Sequence, residues 1–269
     1  MEFPWIALDG KAVSERDGAT DMLEIEILMV YFENALAVNG LSLTVKQGEI
    51  VGVIGSNSAG KTTLLNTISG LIIDMRIKEQ RRGGERISVY GRIRFNGEEI
   101  IDASPRKRVL KGIVLCRERH PVFPESSILE NLKIAGYLRR KAEIAETTEK
   151  VFELFPPLRD LRKRKAGFLS GGEQQMLAIG MALVVRPTLL LLDEPLLGLS
   201  PLMQKAVVDA VVELNRSAGI TVMICEQFAR PVLPIIDRGY VVENGMLTLS
   251  GTGSELIDNP EIKSAYFGI

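Results

Sequence analysis

Eight residues, "GSNSAGKT" from Gly55 to Thr62, constrain this chain more than any other stretch. They fit G-x-x-x-x-G-K-[ST], and they lie between "EIVGVIG", which is short, β-branched and apolar, and a stretch of helical periodicity from Lys61 to about Gly70. A buried strand feeding a glycine-bearing loop and then a helix is the context in which that pattern has a physical meaning. Gly55 and Gly60 let the backbone curl, and the N–H groups of Ser56, Asn57, Ser58, Ala59 and the residues after them can converge on phosphate oxygens. Lys61 adds a point charge, Thr62 offers a hydroxyl to a Mg²⁺ ion, and Thr63 continues the helix start. Ser58 is expected to be tolerated in the curl if its backbone angle is ordinary.

Two further stretches carry chemistry. "LLLLDE", Leu189 to Glu194, reads as a buried strand ending in two carboxylates. Asp193 at the strand tip suits Mg²⁺, and Glu194 suits the orientation and deprotonation of an attacking water. The structural alternative is a carboxylate pair capping the next helix. "FLSGGEQQM" sets Ser170, Gly171, Gly172 and Glu173 at the start of another helix, where free N–H groups face outward toward an anion. One chain thus carries two phosphate-type loops, far apart in sequence.

Composition narrows the partners. The 269 residues suffice for one large α/β domain or two lobes sharing a core. The formal charge of −1 implies no general affinity for nucleic acid. Cys116 and Cys225 both sit in apolar runs and read as buried, reduced thiols. The opening "MEFPWIALDG" lacks the positive charge of a secretory leader, and the best apolar run, "MALVVRPTLLLL", is broken by Arg186 and Pro187. The expectation is a cytoplasmic chain that does not span a membrane. A mean hydropathy of +0.13 fits buried parallel strands or a sizeable protein-binding face.

Along the chain, residues 1–21 read as a loose N-terminal extension. "MLEIEILMV" and "LSLTVKQG" alternate as half-buried strands, and "RISVYGRIRFNGEEI" reads as a hairpin turning at Asn96-Gly97. Between them, "DMRIKEQRRGGER" reads as a basic surface insertion with solvated charges. "GIVLC" is a core strand, followed by helical patterns over 127–140 and 143–155, a helical lobe placed at about 117–170. The remainder alternates helix, "TLLLLDE", helix over 200–217, "GITVMICE" and a hairpin at Asn244-Gly245. Strand–helix alternation with continuous apolar strands argues for a mostly parallel, buried sheet.

Phosphate loop, "LSGGEQQ" and "LLLLDEP", in that order, resemble the ATP-binding cassette ATPases of ABC transporters over residues 22–269. "SGGEQQMLAIG", "LLLLDEPLLGLSP", "DRGYVVENG" and the ending "IKSAYFGI" are similar to the LivF-type subunit of branched-chain amino acid importers. The resemblance implies a P-loop NTPase fold with a mostly parallel core sheet, an antiparallel β subdomain and an inserted helical subdomain. It implies ATP and Mg²⁺ as ligands. It implies an aromatic residue stacked on adenine, Phe32 or alternatively Tyr31, and a Mg²⁺-sensing residue in the loop after "GIVLC". That loop, "CRERHPVFP", has no glutamine, and Glu118 aligns best; His120, the only histidine, is incidental there. Gln227 stands where most cassettes carry a histidine near the γ-phosphate; it can donate a hydrogen bond but cannot carry a proton. Met181 and Ser200 replace the usual arginine and aspartate. The resemblance further implies a head-to-tail dimer with an identical or sibling cassette, in which Ser170, Gly171, Gly172 and Glu173 close over the partner's ATP. Integral membrane permease subunits would be the other partners, holding the chain on the inner face of the membrane. A cassette that remodels a soluble complex and a nucleotide-gated regulatory module are the rival expectations.

Overall fold

The computed structural model describes residues 21–84, 86–119 and 121–267. The expected extension lies outside the described residues apart from Asp21, and His120 lies outside them as well. β1 (Asp21–Phe32) and β2 (Ala35–Lys46) form a long antiparallel pair. β3 (Ile50–Ile54) leads through the phosphate loop into α1 (Lys61–Ser69), and α2 (Leu71–Arg81) follows after a single glycine. β4 (Ile87–Phe95) turns at Asn96-Gly97 into the two-residue β5 (Glu98–Glu99). α3 (Pro105–Leu110), β6 (Ile113–Cys116), α4 (Ile128–Ala135), α5 (Lys141–Leu154), α6 (Pro156–Asp160) and α7 (Gly171–Val184) come next. Then follow β7 (Leu189–Asp193), α8 (Pro201–Ala218) and β8 (Thr221–Glu226). β9 (Arg238–Glu243) and β10 (Met246–Thr252) make a hairpin, and α9 (Gly253–Asp258) and α10 (Pro260–Ile262) end in a π-helical turn over Lys263–Phe267.

The strands make two sheets, one antiparallel in the order β2-β1-β4-β5, the other six-stranded in the order β10-β9-β3-β8-β7-β6. From β9 to β6 the larger sheet is parallel, and only the β10 edge is antiparallel. Its central strands are apolar on both faces because both faces are covered. Leu189 and Leu191 join Val51, Val53 and Met223 in the core shared with the antiparallel sheet and α1. Leu190 and Leu192 point the other way, into a core shared with α4 to α8. Each of these four leucines is fully buried, on the order of 2–3 kcal/mol apiece in surface removed from water. Cys116 and Cys225 are buried free thiols in these two cores, as the apolar runs around them suggest.

The stretch expected as a solvated insertion over 74–86 is helical in its first half. α2 covers Leu71–Arg81 because Gly70, in the left-handed region at φ 83°, ends α1 and lets a second helix begin at once; Gly83 at φ 70° lies just past its end. Ile72 is the buried anchor of α2, and its charged positions face solvent. The C-terminal end of α1 is held from α3. Arg108 is fully buried, and its guanidinium donates to the carbonyls of Thr67 (2.5 Å), Ile68 (2.9 Å), Ile101 (2.7 Å) and Ala103 (2.9 Å). Burial lowers its pKa to about 10, opposed by Asp102.

α4, α5 and α6 pack on α7, whose other neighbours include the edge strand β6. Just past α7, Arg186 at φ 59° reaches back to α5 and pairs with Glu146 (2.5 Å) and Glu143 (3.5 Å). The helical cluster is thereby fixed to the end of the helix that begins at "SGGE".

Candidate nucleotide site

Parallel register brings the chemistry to one edge. Ile54 of β3 pairs with Glu226 of β8, and Asp193 of β7 pairs with Cys225, so the phosphate loop, the acid pair and the end of β8 all leave the sheet at its C-terminal side. That side is where ligands bind in open α/β sheets. A cavity of about 620 Å³ opens there, lined by Phe32, Ala37, Asn57, Ser58, Gly60, Lys61, Thr62, Thr63, Glu118, Arg119, Glu194 and Leu197.

The loop is held tightly. Gly60 caps α1 at φ 103°, and a Cβ there would lie 2.5 Å from the carbonyl oxygen of Ala37. Only glycine fits. Ser58 also departs from the expectation of an ordinary angle: at φ 65° it occupies the left-handed region, a strained place for serine. Gly55 donates its N–H to the Glu226 carbonyl at 3.3 Å. Lys61 is 4% exposed, and its Nζ donates to the carbonyls of Gly55 (2.8 Å) and Ser56 (2.9 Å) while pairing with Glu194 at 3.1 Å. A phosphate entering the cavity would compete with Glu194 for that lysine.

The acids differ in environment. The Thr62 hydroxyl donates to Asp193 Oδ1 at 3.2 Å. Burial pushes Asp193 up to about 6, with Glu194 and Glu118 adding to the shift and the Thr62 bond and Lys61 opposing it. A desolvated carboxylate beside a hydroxyl and a second acid is a set of hard oxygens that fits Mg²⁺, an ion that takes one or two carboxylates and completes its shell with water and phosphate. Among the described residues no group of three His, Cys, Asp or Glu side chains forms a closed metal site. Glu194 stands at φ 44°, and its N–H donates to the Cys225 carbonyl at 2.9 Å. Backbone strain of this kind clusters at functional sites.

Of the aromatic pair, Phe32 lines the cavity, whereas Tyr31 meets Tyr90 edge-on at 6.1 Å between ring centroids. Strand alternation sends the two side chains to opposite faces. Glu118 lies in the lining and is paired with Arg119 at 3.2 Å. Gln227 leaves β8 half-buried, outside that lining. Ser170, Gly171, Gly172 and Glu173 are likewise not brought to the cavity. They form the start of α7, with a capping box in which Ser170 N–H donates to Glu173 Oε2 (2.7 Å) and Glu173 N–H to Ser170 Oγ (3.3 Å). Ser170 and Gly171 are exposed, and Gly172 is buried against Met203 of α8. Ser200 caps α8, its Oγ accepting from Met203 N–H at 3.4 Å.

Four residues enter the site without a sequence signal of their own: Ala37, Arg119 and Leu197 in the lining, and Glu226 beneath it. Glu226 is 1% exposed, and its carboxylate accepts from Leu196 N–H at 2.9 Å. Its place at the end of a fully buried strand, otherwise apolar from Val222 to Cys225, is the one hint the sequence holds.

The family model described as "ABC transporter" matches residues 38–197. The chain is 39% identical to the high-affinity branched-chain amino acid transport ATP-binding protein BraG of Pseudomonas aeruginosa, over 92% of this chain and all of that one. It is 35% identical to the probable branched-chain amino acid transport ATP-binding protein LivF of Archaeoglobus fulgidus, over 84% of this chain and 89% of that one. Among solved structures, the ADP conformation of an ATP-binding cassette of an ABC transporter superposes with a TM-score of 0.77 at 28% identity, covering 93% of this chain and 100% of that one.

Proposed function

The chain belongs to the ABC transporter family, and from that premise we propose that it powers an importer for branched-chain or related amino acids as its ATP-hydrolysing subunit. Cassettes of this family bind nucleotide and hydrolyse ATP. The observation that carries the mechanism is the Lys61–Glu194 ion pair inside the cavity, one residue along each segment from the Thr62–Asp193 hydrogen bond. When the β- and γ-phosphates of ATP take up Lys61 and the loop N–H groups, Glu194 is released from its lysine. It then faces the γ-phosphate as the group that orients and deprotonates water. Thr62, Asp193 and Glu118 are the residues that would hold Mg²⁺, which spreads the charge of the phosphoryl oxygens. Phe32 supplies a face for the adenine. Gln227 donates a hydrogen bond near the γ-phosphate, a positioning contribution without proton transfer.

The exposed Ser170 and Gly171, away from their own chain's cavity, support a head-to-tail pair in which each "SGGE" closes over the partner's nucleotide. No helix among the described residues is long and apolar enough to cross a membrane. The chain would then act at the inner membrane face through permease subunits that carry the solute path. Glu194 distinguishes this reading from a nucleotide-gated module, which needs no base. Glu194→Gln should bind ATP normally and release phosphate at least about 100-fold more slowly than wild type. Wild-type turnover by that variant removes Glu194 from its role. Uptake of labelled leucine, isoleucine and valine in cells lacking the gene, restored by wild type and not by Glu194→Gln, tests the solute class; undiminished uptake in those cells refutes it.

A further inference from the structure

We infer that Glu226 is a positioning residue for hydrolysis, a buried carboxylate that fastens the loop carrying Glu194 to the end of β8. The inference rests on the ATPase reading above. β8 lies between β3 and β7 in the parallel sheet, and its last residue touches three functional segments at once. Through its backbone carbonyl, Glu226 receives the N–H of Gly55, the first residue of the phosphate loop. The carbonyl one residue earlier, on Cys225, receives the N–H of Glu194. Through its side chain, Glu226 receives the N–H of Leu196 at 2.9 Å. The loop after β7 is thus anchored to β8 on both sides of Pro195.

That anchoring matters because of where Glu194 stands. Its backbone is in the left-handed region, so the chain has a lower-energy alternative for this residue whenever its neighbours allow one. Pro195 lacks an N–H and cannot hold the turn by itself. Leu196 N–H is therefore the first donor after Glu194 that can fix the turn, and Glu226 is its acceptor. The group sits in a costly place for a carboxylate. Burial pushes it up to about 7, with the Glu194 charge adding to the shift, while Lys61 and the N–H groups of Leu196 and Gln227 oppose it. Lys61 is engaged directly by Glu194, so Glu226 receives hydrogen bonds and no direct ion pair from it. An apolar side chain of similar size would fill the space at less cost, but it would leave Leu196 N–H without an acceptor. Reach and acceptor capacity, more than charge, are what the geometry requires.

Two variants separate these properties. Glu226→Asp keeps the charge and shortens the side chain, so it loses its reach to Leu196. Glu226→Gln keeps the length and the accepting oxygen and gives up the charge. With full-length protein, phosphate release and binding of a fluorescent ATP analogue are measured for wild type and both variants. The Asp variant is expected to lose about 10- to 100-fold in kcat. Its KM for ATP and its analogue affinity should stay within about threefold of wild type. The Gln variant should keep a third or more of the wild-type kcat. Amide hydrogen exchange at Leu196 should accelerate in the Asp variant alone. Wild-type kcat in Glu226→Asp, equal loss in both variants, or a loss confined to KM would each overturn the inference. Absence of phosphate release from the wild-type protein would instead overturn the ATPase reading on which it rests.

Discussion

At the scale of single residues, the site is a set of buried acids with unequal tasks, and their titration leaves a mark on stability. Glu226 has a folded pKa of about 7 against 4.5 for the free group. Below pH 4.5 the group is protonated in both states and carries no penalty. As pH rises toward 7 the unfolded chain ionises first, so the stability associated with the neutral folded form is lost, and above pH 7 the whole cost is present. Glu226→Gln removes this term. Its advantage over wild type in urea unfolding should grow by about 3 kcal/mol between pH 4.5 and pH 8. Asp193, raised in the same direction, is common to both proteins and cancels. Unfolding profiles that stay parallel across that range would show Glu226 to be solvated. Glu226 was hard to recognise in the sequence because its partners, Leu196 and Gly55, are distant in sequence and donate only backbone N–H groups, which leave no pattern. Lys61, Thr62, Asp193 and Glu194 were legible for the opposite reason. A phosphate loop must be contiguous to curl around its ligand, and an acid pair must stand at the end of an apolar strand to reach it. Strand alternation turned out to separate Phe32 from Tyr31, a choice that neighbouring aromatic residues leave open until a face is known.

At the scale of elements, α1 delivers the phosphate loop, and its far end depends on α3. Arg108 places a buried guanidinium on carbonyls of Thr67 and Ile68, where the helix leaves its last acceptors unpaired and its dipole is negative. Arg108→Met fits the space yet strands four carbonyls. It should cost about 3 kcal/mol or more of unfolding free energy, read by urea denaturation. A loss below about 1 kcal/mol would mean that water takes over those acceptors. The element most at variance with expectation is α2. Five basic residues and the pair Gly83-Gly84 give the stretch the texture of a loop, while its apolar anchor is the single buried Ile72. With so little amphipathic periodicity, the deciding factor is tertiary, a left-handed Gly70 that lets one helix abut another. The parallel strands were legible because burial on both faces makes them apolar in continuous runs, Leu189–Leu192 in β7 and Val222–Cys225 in β8.

At the scale of the whole molecule, the exposed start of α7 and the cavity at the sheet edge are separate features of one chain, and the head-to-tail proposal joins them across two chains. A forced pair tests it. Put Lys61→Ala and Ser170→Arg on one subunit, and each composite site is broken, so phosphate release should vanish. Put one change on each subunit, and one site keeps both an intact phosphate loop and an intact "SGGE", so part of the activity should return. The reverse order of activities would assign "FLSGGEQQM" to its own chain's nucleotide. The molecule's strand order also has a consequence in time. β3, with five buried residues, lies at the heart of the sheet, yet its neighbours are β8 and β9; Ile50 pairs with Val222 and Val51 with Arg238. On a ribosome adding about 5–20 residues per second, β3 emerges roughly 10 to 40 seconds before the strands that flank it. For that interval the newborn chain holds a sticky ribbon with both edges open, and the phosphate loop lacks the β8 carbonyl that receives Gly55 until most of the polypeptide has been made.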